Sequence, residues 1–207
     1  MVYKNFWLRI FISLVIFISY FSLSIYSFEN VVFFIAFIYI IIVIEIIINF
    51  NKLKYFIIIY IILSFISLIY INFDQNNLIK FNLFISIIIL FDSFSYIFGK
   101  LFGKKKIVFL FSPNKTFEGL FGGFLSSLII SLIYCYYFNL PIKSSTIVFI
   151  ILIIISSFCG DMIESFFKRK NDLKNSSNFL PGHGGFFDRF DSLIFSIFIY
   201  NQFNYLL

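Results

Sequence analysis

Val31-Val32-Phe33-Phe34-Ile35-Ala36-Phe37-Ile38-Tyr39-Ile40-Ile41-Ile42-Val43-Ile44-Glu45-Ile46-Ile47-Ile48-Asn49-Phe50 carries a single charged residue, Glu45, in an otherwise apolar run. A helix rises about 1.5 Å per residue, so a run of this length crosses a hydrocarbon layer of about 30 Å. The apolar residues are continuous and do not alternate with polar ones as they would in a membrane β-strand. The stretch therefore reads as a spanning helix.

The same pattern recurs outward in both directions. Seven apolar runs fall at about 10–28, 31–50, 55–72, 81–98, 118–138, 146–166 and 190–206. The 207 residues are 61% hydrophobic and 13% charged, with a mean hydropathy of +1.00. A soluble domain holds about 45–50% apolar and about 25% charged residues, and one core could not hide the surplus. Disorder is excluded by the same figures, and Gly 9, Pro 3 and Cys 2 exclude collagen-like and disulfide-scaffold chains. The expected fold is all-α, a polytopic membrane protein of about seven transmembrane helices. The 35 Phe and 13 Tyr beside one Ala, Ala36, read as the codon bias of an AT-rich genome and carry no mechanism. The first run is too long for a cleaved signal peptide, and no small-residue cleavage site follows it.

Basic residues orient the chain. With the N-terminus in the cytoplasm, all but Lys80 and Lys143 of the 16 basic residues fall on the cytoplasmic side, as the positive-inside rule requires. The net charge of +6 is then a property of that face. Anionic headgroups or phosphorylated substrates account for it without nucleic acid. Cys135 and Cys159 lie within spans and read as small apolar residues. The one histidine, His183, excludes a multi-histidine metal site. No internal repeat is visible, which weighs against many transporter folds.

The acids are the informative residues, because a carboxylate inside a span is costly and marks function by default. Glu45, Asp92, Glu118, Asp161, Glu164, Asp188 and Asp191, seven of the ten acids, are expected at one layer under the cytoplasmic surface. Glu29, Asp74 and Asp172 read as solvated loop charges, and Lys104-Lys105-Lys106 first as a topology anchor. For Glu45, a structural hydrogen bond or a shared proton competes evenly with a catalytic role. Asp161 and Glu164 lie near a helix C-terminus, where the macrodipole disfavours them. Lys168 is placed to pair with Glu164 at i+4, whereas Asp161 lacks such a neighbour and a metal ion would serve. Asp188 and Asp191 share a helix face. Carboxylates without histidine suit Mg²⁺, which takes one or two of them plus substrate phosphates.

Two loops are suited to phosphate. Ser112-Pro113-Asn114-Lys115-Thr116 precedes the fifth span, with Ser112 as the expected N-cap, Pro113 at the first helical position and Lys115 beside the anion-binding end. Pro181-Gly182-His183-Gly184-Gly185 permits close backbone approach to a ligand and leads into Asp188; its setting favours an active-site role for His183. Gly99-Lys100-Leu101-Phe102-Gly103-Lys104 fails as a Walker A loop, since the spacing is wrong and Lys105 stands where Ser or Thr is needed. No H-E-x-x-H is present.

Ser165-Phe166-Phe167-Lys168-Arg169, followed by Leu180-Pro181-Gly182-His183-Gly184-Gly185-Phe186-Phe187-Asp188-Arg189-Phe190-Asp191-Ser192, resembles the signature of the phosphatidate cytidylyltransferases, or CDP-diacylglycerol synthases. Gly160-Asp161 with Glu164-Ser165, Ser112 to Gly119, and Asp92-Ser93 with Tyr96 and Gly99 to Lys104 agree with it. The resemblance covers about residues 90–207. Asp188 and Asp191 also hint at CDP-alcohol phosphotransferases, but that family's opening D-G-x-x-A-R element is absent.

The resemblance implies a bacterial cytoplasmic-membrane enzyme, its active site facing the cytoplasm, that joins CTP and phosphatidate with Mg²⁺ and forms homodimers. It implies metal ligation by Asp161, Asp188 and Asp191, and a phosphate and nucleotide region at Ser112, Lys115, Lys168, Arg169, Lys174, His183, Gly184, Gly185 and Arg189. Residues 1–80 would be a shortened scaffold and 81–207 the catalytic region. The sequence departs from the family at Asn175, where Asp is usual, at Asp172 and Phe94, near or at which Gly is usual, and at Phe117, where Trp is usual. Its N-terminal half is shorter than in many members, which implies a span or two fewer. Other readings are a CTP-dependent enzyme on another lipid phosphate or a polyprenol, a transporter of a phosphorylated solute, and an inactive member resting on Asn175. A transporter site belongs near the midplane; these acids are expected at the cytoplasmic edge.

Overall fold

A computed structural model describes residues 15–71, 75–107, 115–180 and 184–207, with the side chains of 75 and 76 excepted. Seven α-helices follow in order. They are α1 (described from Val15 to Tyr26), α2 (Phe28–Asn49), α3 (Lys54–Ile69), α4 (Gln75–Phe102), α5 (Phe117–Tyr137), α6 (Ser144–Lys170) and α7 (Phe187–Phe203). A 3₁₀ turn (Asn204–Leu206) ends the chain. Among the described residues there is no strand, only isolated bridges at Lys106–Thr116 and Leu180–Gly184. Helices α2, α5 and α6, with Asn77–Phe102 of α4, are long and apolar enough to cross a membrane. The 16 residues of α3 and 17 of α7 are shorter than a typical span. Large apolar side chains such as Ile25, Phe33 and Tyr55 stand fully outward, as a lipid-facing surface requires. The chain is thus a helical membrane protein.

Helix ends differ from the apolar runs for physical reasons. The run at 81–98 stops at polar residues, but α4 continues over them to Gln75 and Phe102, because a helix satisfies its own backbone whatever its side chains are. Likewise α6 extends through Phe167, Lys168, Arg169 and Lys170. Lys168, Arg169 and Lys170 lie in the last turn, where they offset the C-terminal dipole. The expected N-cap at Ser112 is corrected. Helix α5 begins at Phe117, and Thr116 caps it by accepting the Gly119 N–H at 3.2 Å.

The chain forms two compact units, residues 1–78 with 166–191, and residues 79–165 with 192–207. In the first, α2 packs on α3, and the Tyr39 hydroxyl lies 2.6 Å from Ser64 Oγ. The turn between these helices has Leu53 in the left-handed region (φ 59°) with no glycine to ease it. Asn171 holds that turn. Its Oδ1 accepts from the Asn51 and Lys52 N–H groups at 3.0 and 2.6 Å, and its Nδ2 donates to the Lys52 and Phe167 carbonyls at 3.0 and 2.9 Å. The nearby Lys52–Asp172 pair is exposed and adds little.

In the second unit, Gly119, Ser127, Ser131 and Cys135 are buried, and Gly123 with them, so a small residue recurs every fourth position along α5. Small residues let helices approach closely where the surrounding lipid supplies no hydrophobic drive. A Cβ on Gly119 would lie 2.7 Å from the Ser95 carbonyl oxygen of α4. Buried Tyr200 of α7 packs against Phe81, Phe84 and Phe149, and Ser156 of α6 meets Ser196 of α7 at 2.8 Å. Cys135 and Cys159 are free thiols. Gly119→Ala forces backbone apart and should cost about 1–3 kcal/mol, read as a lower thermal midpoint in detergent. Leu125→Ala on the outward face of the same helix should leave the midpoint nearly unchanged.

Candidate functional site

In the first unit the chain between α6 and α7 is organised around one carboxylate. Asp188 lies in the first turn of α7, where the helix dipole favours it. Its Oδ2 accepts three hydrogen bonds, from the Ser176 N–H, the Ser176 hydroxyl and the Gly185 N–H, each at 2.9 Å. Its Oδ1 pairs with Lys168 Nζ at 2.7 Å, with side chains only 9% and 13% exposed respectively. The loop is thereby tied at both ends to one group. Leu180 N–H donates to the Gly184 carbonyl at 2.8 Å, closing the glycine turn. Gly184 has φ +89°, a conformation open to glycine and strained for other residues. A side chain there would strike the Asp188 carboxylate.

Glu45, fully buried in α2, supplies the other fixed contact. Its Oε2 accepts from the Phe186 and Phe187 N–H groups at 2.8 and 3.3 Å. A Cβ on Gly185 would collide with the side-chain ends of both Glu45 and Ser176, so a larger residue there would have to displace them. The structural hydrogen bonds that were one reading of Glu45 are present. Arg169 donates to the Leu173 carbonyl at 2.9 Å. Lys174 and Arg189 are exposed on the same loop and helix start. Ser112 and His183, with Pro113, Asn114, Pro181 and Gly182, lie outside the described residues.

In the second unit, Lys115 forms an ion pair with Asp161. Its ammonium also lies 4.4 Å above the Phe158 ring, a favourable cation–π placement. Asp161 therefore has the compensating cation that its own helix does not provide. A short antiparallel pairing fixes Lys115: Ile107 N–H donates to the Lys115 carbonyl and Phe117 N–H to that of Lys105, both at 2.9 Å. Glu118 turns back to accept from the Lys104 and Lys105 N–H groups at 3.1–3.2 Å. Ser157 lies 3.4 Å from Asp92, and Ser192 donates to the Ser157 carbonyl at 3.2 Å.

Asp161 and Glu164 bring carboxylate oxygens within 4.8 Å of each other. Two hard oxygen donors at this spacing, with no thiolate or imidazole in the cluster among the described residues, fit Mg²⁺ better than zinc or copper. Asp188 is the more heavily engaged of the acids, its two oxygens accepting four protein hydrogen bonds, whereas Asp161 has the Lys115 ion pair and a longer 3.4 Å contact from Ser165 Oγ.

The sequence did not reveal the double donation of Ser176, the clasp of Asn171, or the partner of Glu45. Only the isolation of Glu45 in an apolar run marked it.

The helices and the lysine–carboxylate pair within each unit define a helical membrane protein with buried charge. The cytidylyltransferase family model matches residues 2–207, and the chain belongs to that family. Relatives named phosphatidate cytidylyltransferase include one from Staphylococcus haemolyticus (strain JCSC1435), 46% identical over 112 residues, or 53% of this chain and 43% of the relative. One from Staphylococcus epidermidis (strain RP62A) is 41% identical over 126 residues, 59% of this chain and 48% of the relative. One from Staphylococcus aureus (strain COL) is 44% identical over 117 residues, 56% and 45%. The matched part thus spans about half the length of these relatives.

The Lys168–Asp188 pair yields a direct test. Removing one partner of a poorly exposed pair strands the other and should cost about 3–5 kcal/mol. Lys168→Met should therefore lower the thermal midpoint in detergent more than the double variant Lys168→Met/Asp188→Asn falls beyond Asp188→Asn alone. Additive losses would show that the two residues are not coupled.

Proposed function

We propose that this chain transfers CMP from CTP to phosphatidate, giving CDP-diacylglycerol and pyrophosphate at the cytoplasmic face of a bacterial cytoplasmic membrane. The observation that carries the reading is the identity of 41–46% with relatives named for this activity. The site chemistry supports it.

A phosphatidate oxygen attacks the α-phosphorus of CTP, forming a P–O bond as the bond to the pyrophosphate oxygen breaks. The attacking phosphomonoester is already largely ionised near neutral pH, so no strong general base is needed. Catalysis then rests on positioning and charge neutralisation. Lys115, rigidly placed over Phe158, and the cations Lys168, Arg169, Lys174 and Arg189 would offset phosphate charge. Asp161 with Glu164 would hold Mg²⁺, which when bound neutralises charge on phosphate oxygens. Asp188 orders the glycine loop and holds Lys168.

The position of the acids favours an enzyme over a transporter: Asp188 lies in the first turn of α7 and Glu164 within about two turns of the end of α6.

Membranes containing the protein, incubated with labelled CTP, phosphatidate and Mg²⁺, should form labelled CDP-diacylglycerol above control membranes. Chelation with EDTA should stop formation and added Mg²⁺ restore it. Asp161→Asn should lower the rate by roughly 100-fold or more while the protein remains folded. No product from folded protein overturns the proposal, and product only with a different lipid phosphate moves the substrate to that lipid.

A further inference from the structure

We propose that Glu45 is a positioning residue for the glycine loop, acting through α2 as the N-cap of α7. What the loop binds rests on the transferase reading; the capping does not.

Helix α7 begins at Phe187 and is preceded by Phe186. Neither side chain can accept a hydrogen bond, so the helix lacks the Ser, Thr, Asp or Asn that would cap it from its own chain. Its first amide groups would be orphaned, at a cost if buried. The acceptor comes instead from Glu45, 141 residues away in sequence from Phe186.

The exchange is mutual. A carboxylate with no exposed surface needs donors, and two backbone amides at the positive end of a helix provide them to Oε2, while Oε1 has no hydrogen-bond partner among the described residues. Gly185, whose N–H goes to Asp188, completes a row of three consecutive amides, Gly185, Phe186 and Phe187, all bound by protein carboxylates. Those amides are not open to a substrate phosphate in this arrangement. Among the described residues of this segment, phosphate contacts then fall to side chains and to groups outside these three amides. Their placement depends on where the Gly184–Phe187 segment is pinned, and Glu45 with Asp188 pins it. The contact with Gly185 makes the fit specific, because a side chain there would drive Glu45 out of place.

The test compares the wild type, Glu45→Ala and Glu45→Gln in detergent by amide hydrogen exchange, with the KM for CTP and kcat measured in parallel. Glu45→Ala should lose about tenfold or more of the protection at residues 184–187 and raise the KM for CTP by about tenfold, with a smaller change in kcat. Glu45→Gln keeps one carbonyl acceptor and should recover part of both. Protection at 184–187 unchanged in Glu45→Ala overturns the proposal, and so does lost protection with an unchanged KM. If Glu45→Ala does not fold, Glu45→Gln is read against the wild type: a loss of about threefold in protection supports the capping, and no loss overturns it. If the wild type forms no CDP-diacylglycerol, the transferase reading fails on its own, and the exchange comparison still decides whether Glu45 holds the loop.

Discussion

A carboxylate withdrawn from water must be met by donors, and the polar architecture of this protein follows from that rule. Burying an unpaired ionised acid costs far more than a single protein domain can spare. Glu45, Asp188 and Asp161 each meet the requirement differently. Glu45 takes two backbone amides, Asp188 takes three hydrogen bonds and a lysine, and Asp161 takes the lysine that precedes α5. For Glu45 and for Oδ2 of Asp188 the donors lie on the chain between α6 and α7, which these contacts hold in place. The acids therefore shape the loops, and the loops do not merely carry them.

The apolar majority has a complementary role. Lipid chains are as apolar as Ile or Phe, so contact between helices in a membrane comes from close packing and hydrogen bonds. The four-residue spacing of small residues on α5 and the serine contacts between α6 and α7 meet that need. Phe and Tyr residues fill the remaining core, as around Tyr200. The aromatic excess is consistent with filler: the same residue types pack inside and face outward, as Phe81 and Phe33 illustrate.

Helix number and order were legible because an unbroken apolar run leaves the backbone one economical solution in lipid. The ends were less legible. Gln75 and Lys170 are helical although their side chains are polar, and Thr116 rather than Ser112 is the cap of α5 because capping depends on the geometry of one turn. Individual acids stood out by their scarcity, and the Asp188 motif was readable from neighbouring glycines. Their partners were not. Lys115 and Asp161, or Glu45 and Phe186, are joined by tertiary structure alone, and no local periodicity signals a contact across that much chain. Asn171 carried no signal in the sequence, yet its side chain makes three hydrogen bonds to the left-handed turn at Leu53 and a fourth to the Phe167 carbonyl.

Occupied amides also bear on how phosphates are held. Many phosphate sites use a helix N-terminus preceded by glycines, with free N–H groups facing the ligand. The glycine loop before α7 has that sequence pattern, but two internal carboxylates take its amides. On the transferase reading, the described residues around these three amides offer a phosphate side-chain charge. Lys168 is already paired with Asp188, while Lys174 and Arg189 are exposed. Side-chain cations on an internally braced loop can be drawn to a phosphate without uncapping the helix, so binding need not disturb the pinned backbone. The glycines are better understood as space for Glu45, Ser176 and Asp188 than as space for the substrate.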